Sequence, residues 1–331
     1  MISFRRVRKY WQIYYSERIY KKRLYLSVKI MSDQASNLRK LMEDKAEAKT
    51  EESSIVTFDS NSDLNRQSRV ITITSGKGGV GKTNIAVNLA AALKMHGKRV
   101  LLIDADIGMA NVDVLLGSIS KHNMLDLLED GVGLQDVLVE SPHGINYISG
   151  SSGVEKALNF THEERRILHR KLAFCNELAD IILIDTGAGL GRHVIDFLIA
   201  ADEVLLITTP EPTSLSDAFA VLKTYNLHSK RKNIQLIVNR IFDEEEREEV
   251  IEKLNATAKK ILNIQIECAG YIFEDRSVID CVKKQKPFII EKPNCIASKC
   301  IDQLADKLIN GTEMTITKGW LSFLNDIFRF S

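Results

Sequence analysis

One short run constrains this chain more than any other. Val70–Thr74 is apolar and β-branched, Gly76-Lys77-Gly78-Gly79-Val80-Gly81-Lys82-Thr83 follows it, and Ile85, Ala86, Leu89, Ala90 and Leu93 then recur at helical spacing. Strand, glycine loop and helix in that order is the context in which G-x-x-x-x-G-K-T works as a phosphate-binding loop. The glycines let successive backbone N–H groups turn inward on phosphate oxygens, and the start of the helix adds positive potential. Lys82 supplies a point charge, and Thr83 offers a hydroxyl to Mg²⁺. The segment Gly76–Asn84 is therefore expected to hold a nucleotide.

Around this run, short apolar stretches alternate with longer amphipathic ones. Val70–Thr74, Arg99–Ile103, Asp180–Ile184, Glu203–Thr208 and Ile234–Val238 read as buried strands, and Ile145–Ile148 and Ala269–Ile272 as weaker ones. Most of the intervals are long enough for a crossover helix, as parallel pairing requires. The expected architecture is a doubly wound α/β domain over roughly residues 69–310, a mostly parallel sheet flanked by helices. With 331 residues, 44% apolar and 27% charged, the chain can bury one large core of this kind.

The flanks differ in character. Residues 1–30 mix basic and aromatic side chains, and two readings stand: a surface for anionic membrane or nucleic acid, or a translation start placed too early, with Met31 the true beginning. Residues 31–42 form a helix candidate that Asp33 can cap. Residues 43–68 are polar and read as a tether, and residues 311–331 stand apart as a tail. The net charge of +1 conceals a split, because residues 1–30 hold nine Lys/Arg and one Glu, leaving −7 for the rest. Direct DNA binding is not expected of an acidic domain, since it rests on many Lys/Arg–phosphate contacts. The five cysteines, Cys175, Cys268, Cys281, Cys295 and Cys300, show no CxxC pair and read as reduced cytosolic thiols. No apolar run reaches the ~18–20 residues of a membrane-spanning helix, and the expected location is cytoplasmic.

Two strands end in carboxylates. Leu101–Ile103 runs into Asp104 and Asp106, and Ile181–Ile184 into Asp185 followed by Thr186-Gly187-Ala188-Gly189. Carboxylates at the C-terminal ends of neighbouring parallel strands face a phosphate loop, where they can hold Mg²⁺ or its water shell and orient an attacking water. Together with the second lysine of the loop, Lys77, these segments resemble the MinD/ParA family of deviant Walker A ATPases. The resemblance implies that Lys77 reaches the nucleotide of a partner protomer in an ATP-dependent homodimer. It further implies that Asp106 positions water, that Thr83, Asp104 and Asp185 serve the metal, and that ATP is cleaved to ADP and phosphate with Mg²⁺ as cofactor. The plainer readings are a solvated loop lysine for Lys77 and a helix cap for Asp104. Where the family usually has proline, this chain has Thr186-Gly187, which is expected to loosen that loop. Asn239-Arg240 resembles the family's adenine-contacting segment, with the Asn239 amide offering a donor and an acceptor, or else Asn239 is a turn residue. Phe273–Val278 resembles the loop over the base, with Phe273 in place of the usual proline.

The tails select within the family. Trp320, Leu321, Leu324, Ile327 and Phe328 share one helical face, joined by Phe323 in an apolar segment. Such a helix suits an anionic membrane interface, doubled in a dimer, or docks on its own domain. Asp33-Gln34-Ala35-Ser36-Asn37-Leu38-Arg39 is similar to the DQAxxLR element of the FlhG (FleN/YlxH) flagellar-number regulators, a branch of the same family. That resemblance implies that Asp33, Gln34, Leu38 and Arg39 stimulate an FlhF-like SRP-type GTPase. It also implies flagellar switch or C-ring components, or a flagellar transcription regulator, as further partners. A MinD-like division regulator, a ParA-type DNA segregator and an iron–sulfur carrier are the alternative readings.

Overall fold

In the computed structural model, residues 67–106, 111–150, 160–229, 233–311 and 318–328 are described. The expected activating helix with Asp33, Gln34, Leu38 and Arg39 lies outside the described residues, as do Ile107 and Gly108. The centre of the domain is a single eight-stranded sheet. Its strands are β1 (Arg69–Ser75), β2 (Val100–Ala105), β3 (Leu138–Glu140), β4 (Asn146–Ile148), β5 (Ile181–Ala188), β6 (Glu203–Thr208), β7 (Ile234–Ile241) and β8 (Glu267–Phe273). Their spatial order is β3-β4-β2-β5-β1-β6-β7-β8. Every pairing is parallel except β3 with β4. All seven strands read from the sequence are present. Only β3 was missed, a three-residue strand with no buried position.

Helices cover both faces, which is why the central strands are buried on both sides and read as continuous apolar runs. One face carries α1 (Lys82–Met95), α2 (Val112–Leu116), α9 (Arg276–Lys283), α10 (Phe288–Glu291) and α11 (Ile296–Asn310). The other carries α4 (His162–Leu172), α5 (Cys175–Leu178), α6 (Arg192–Ala200), α7 (Pro212–His228), α8 (Glu244–Leu262) and a last helix, α12 (Gly319–Ile327). The short α3 (Leu134–Val137) leads into β3. Ser68, at the end of the expected tether, is buried, and its hydroxyl donates to the carbonyls of Asn176 and Ala179.

The tail helix has a definite seat. Trp320, Phe323, Leu324 and Phe328 are buried, and α12 packs on α6, α4, α5 and β1. Trp320 Nε1 donates to the Leu172 carbonyl at 2.6 Å, and its ring stacks on Phe323 with centroids 5.3 Å apart. Phe323 stacks in turn on Phe197 of α6 at 6.0 Å. Asp202 accepts from the backbone N–H groups of Lys318 and Gly319 with one oxygen and from Val70 N with the other. Leu321, expected on the apolar face, points to solvent, because one residue turns the helix by ~100° away from Trp320. In this state the apolar face of the tail covers its own domain. No helix among the described residues is long and apolar enough to cross a membrane.

Candidate functional site

The phosphate loop leaves β1 at Ser75 and enters α1 at Lys82. Two of its glycines are fixed by space. A Cβ on Gly76 would lie 2.3 Å from the backbone carbonyl of Asp217 on α7, and one on Gly81 would lie 2.5 Å from Asn239 Nδ2. Gly81 also has φ 95°, in the left-handed region that glycine adopts at little cost. No side chain caps α1, and its first turn holds no acidic residue. Its leading N–H groups are thus free of side-chain acceptors and carry the positive end of the helix dipole, which is the arrangement that receives phosphate.

Beneath the loop lies a tight charge cluster. Strand register puts Asp104 of β2 beside Asp185 of β5, and Asp185 beside Ile73 of β1. Lys82 Nζ is 3.2 Å from Asp185 Oδ1, with the lysine 8% and the aspartate 0% exposed. Burial pushes the Asp185 carboxyl above the ordinary range, opposed by Lys82 and the neighbouring Thr83 hydroxyl. Asp185 Oδ2 is buried with no hydrogen-bond partner. Asp104 is pushed up to about 7, first by burial and then by the charge of Asp185. Its Oδ1 accepts from Asp106 N at 3.0 Å, and its Oδ2 from Asn111 N at 3.0 Å and Val112 N at 3.2 Å. One carboxylate therefore holds both ends of the loop that carries Asp106.

These donors fit a hard divalent cation. An orphaned carboxylate oxygen, a second carboxylate and a threonine hydroxyl beside a phosphate cradle suit Mg²⁺, which keeps part of its shell as water and phosphate oxygen. Among the described residues no cluster of three or more His, Cys, Asp or Glu is placed to hold a metal unaided.

The loop after Asp185 is better held than the missing proline suggests. Thr186 is fully buried, and its hydroxyl reaches the carbonyls of Ile73, at 3.1 Å, and Gly187, at 3.0 Å. A Cβ on Gly187 would come within 3.2 Å of Asp106 Oδ1. The glycine lets the Asp106 carboxylate lie over this backbone, so the expectation of a loosened loop is corrected by the threonine bridge.

Lys77 does not point at its own loop. Its Nζ donates to Glu211 Oε2 at 2.7 Å and to Thr213 Oγ1 at 2.9 Å, at the start of α7. That partner lowers the Glu211 carboxyl pKa. The sequence reading missed both contacts, although Glu211-Pro212-Thr213 has the form of a helix start, with proline at its first position.

At the base end, a cleft of about 210 Å³ opens between α1 and β8, lined by Asn84, Ile85, Asn239, Phe273, Val278 and Ile279 among others. Asn239 is buried, and its Nδ2 donates to the Val80 carbonyl at 2.7 Å. One of its two amide N–H groups is thereby committed to the phosphate loop, and the second N–H and the oxygen remain. Arg240 has φ 60°, is half exposed and lies 3.9 Å from Glu274. A larger open groove of about 890 Å³ between α8 and α11 shares no residue with the loop or the carboxylates.

A phosphate cradle with a second lysine, set against two strand-end carboxylates on a doubly wound sheet, defines a P-loop ATPase of the deviant Walker A class. An AAA domain family model matches residues 68–238. The chain is 35% identical over 255 residues to the antiactivator FleN of Pseudomonas aeruginosa, covering 77% of this chain and 91% of that protein. It is 34% identical over 314 residues to the flagellum site-determining protein YlxH of Helicobacter pylori, covering 91% and 99%. Among solved structures, the septum site-determining protein MinD of Pyrococcus horikoshii complexed with Mg-ADP superimposes with a TM-score of 0.60 at 25% identity. That match covers 73% of this chain and 96% of the other. The chain belongs to the FleN/YlxH branch, also called FlhG, of the MinD/ParA family of ATPases.

Proposed function

We propose that this ATPase is a dimerising switch that sets flagellar number and placement, with ATP and Mg²⁺ at the loop and a membrane-seeking tail released by dimer formation. The observation that carries the switch reading is the seat of α12. Its Phe323 stacks on Phe197 of α6, and α6 begins at Arg192, directly after the Asp185–Gly191 segment that carries the site. A rearrangement of that segment on nucleotide binding would be felt at the tail through one short helix.

In this reading the backbone of Gly76–Thr83 and the side chain of Lys82 bind the phosphates, and Thr83, Asp104 and Asp185 would hold Mg²⁺. The metal supplies charge neutralisation at the phosphates. Asp106 accepts a hydrogen bond from the attacking water and orients it. Lys77 leaves Glu211 and Thr213 to contact the nucleotide of a second protomer. Asn239 Oδ1 accepts from the 6-amino group of adenine, and Arg240 flanks the base. Trp320, Leu321, Phe323, Leu324, Ile327 and Phe328 enter an anionic membrane surface once undocked. Asp33, Gln34, Leu38 and Arg39, in the segment 31–42 ahead of a tether, act on an FlhF-like GTPase, and the output reaches switch or C-ring components or a flagellar transcription regulator.

The test is Asp106→Ala with ATP or ADP. Expected are an ATP-held dimer by light scattering and its flotation with phosphatidylcholine/phosphatidylglycerol vesicles, with hydrolysis abolished. A protein that stays monomeric and off vesicles with ATP would end the switch reading. Separately, a peptide spanning residues 32–42 should accelerate an FlhF-like GTPase, and no acceleration by peptide or full chain removes that partner.

A further inference from the structure

Between β8 and α11 the chain leaves an apolar row in water. Ile279 and Val282 on α9 and Ile290 on α10 are 49%, 36% and 41% exposed. Adjacent Cys281, Phe288 and Ile289 are buried in the core, so the exposed row is not a core face left unpacked. Ile279 and Val282 are three residues apart and share a helix face. The row is also framed. Lys284 and Lys286 pair with Glu291 at 3.3 and 3.1 Å, and Lys292 pairs with Asp280 at 3.5 Å. These bridges cross from α9 to α10 and its end, holding the two short helices as one surface.

The charge of that surface opposes the charge of the domain. Residues 276–299 carry six Lys/Arg, including Lys283, which is exposed, against two carboxylates, Asp280 and Glu291, in a chain whose residues 31–331 sum to −7. An apolar strip edged by lysines is complementary to a helix with an aliphatic stripe and acidic flanks. A nucleic-acid backbone would satisfy the lysines and leave Ile279, Val282 and Ile290 in water. A second copy of the same face would set lysines against lysines. We infer that the α9–α10 face docks an acidic amphipathic helix of a partner protein.

This surface has a natural link to the nucleotide. Val278 and Ile279 of α9 also line the base cleft, so a partner seated on α9 rests on the wall of that cleft. Nucleotide occupancy and partner affinity are then coupled, and by linkage each alters the other by the same factor. Since α12 lies on the opposite face of the sheet, the docking surface and the tail do not compete. The inference stands independently of the flagellar reading and of membrane binding.

The experiment uses the full chain and a fluorescein-labelled synthetic helix with leucines at i, i+3, i+4 and i+7 and glutamates between them. Its controls are the same composition scrambled and the lysine-for-glutamate version, read by anisotropy at low and high salt. The designed helix is expected to bind at least about tenfold tighter than either control, and less tightly at high salt. Val282→Asp and the pair Lys283→Glu/Lys286→Glu should each weaken it by about tenfold or more. Unchanged melting temperature and ATP-dependent light scattering in these surface variants show that fold and dimer are intact. Equal binding of the scrambled helix, or variants that bind as wild type, overturns the proposal. So does loss, in these variants, of affinity for a random-sequence DNA duplex or for phosphatidylcholine/phosphatidylglycerol vesicles in place of the helix.

Discussion

Replacing Trp320 with alanine asks how firmly the tail is seated. The side chain is 1% exposed, stacked on Phe323 at 5.3 Å and bonded to the Leu172 carbonyl at 2.6 Å. Truncating a buried aromatic of this size costs about 3–5 kcal/mol, within which the orphaned carbonyl accounts for roughly 1–3 kcal/mol. Taken as ~4 kcal/mol on docking alone, that is about a thousandfold in the docking equilibrium. Amide hydrogen exchange reads it directly, because a locally opening unit exchanges in proportion to its open population. In Trp320→Ala the amides of α12 should exchange up to about a thousandfold faster, while those of β1 and β5 hold their protection. Asp202→Asn is a milder second variant. It leaves the apolar face whole but keeps a single acceptor for Val70 N on one side and the Lys318 and Gly319 N–H groups on the other, so a smaller acceleration of the same residues is expected. Two results refute the reasoning. If α12 stays as protected as β1 in both variants, the seat does not depend on these contacts. If β1 and β5 accelerate together with α12, the tail is an inseparable part of the core and no nucleotide state can release it alone.

Two further outcomes follow from the site. The Asp104 carboxyl, raised to about 7 by burial and by Asp185, holds a proton in the fold that the unfolded chain, at 3.8, has released. Stability is therefore full below the unfolded value, falls as pH rises from about 4 to about 7, and levels off above, a loss on the order of 4 kcal/mol before relaxation. Asp104→Asn should flatten the fall in melting temperature between about pH 5 and about pH 7.5, with a residual slope from Asp185, and parallel slopes in the two proteins would show that Asp104 is not the group responsible. One N–H of Asn239 is held by Val80, and in the proposed contact its oxygen accepts from the 6-amino group of adenine, which a 6-oxo base lacks. Equilibrium binding should favour ATP over GTP, and Asn239→Ala should cut that preference by about tenfold, as one buried hydrogen bond is worth roughly 1–3 kcal/mol. An unchanged ratio would mean that the base is read elsewhere.

Much of this was legible in the sequence because β1, β2 and β5 are buried on both faces, so that β2 and β5 read as apolar runs ending in aspartate and β1 as a β-branched run, with Thr72 and Thr74 buried, leading into the glycine loop. The carboxylates fell into place because a parallel sheet puts such strand ends on one edge. What stayed hidden was set by tertiary contact. β3 carries no alternation to detect in three residues. The tail's apolar stripe announced that a face needs covering without naming the cover, and one helical step separates Leu321 in water from Trp320 in the core. Asp202 gave no signal at all, since its acceptors serve backbone N–H groups from both ends of the folded chain. Lys77 was recognised from the motif, but its resting partners, Glu211 and Thr213, come from a helix over a hundred residues away.

Lifting α12 bares two greasy surfaces, not one. The helix exposes Trp320 and Phe323, and the trough it vacates exposes the packing side of Phe197, Leu168 and Leu172. A bilayer can receive only the first. In the proposed switch the second would stay wet while the tail is in lipid, and would pull the tail home once the lipid or a partner protomer let go. On that reading the open trough would act as a timer, and a molecule able to fill it would prolong membrane residence with no change to the nucleotide chemistry.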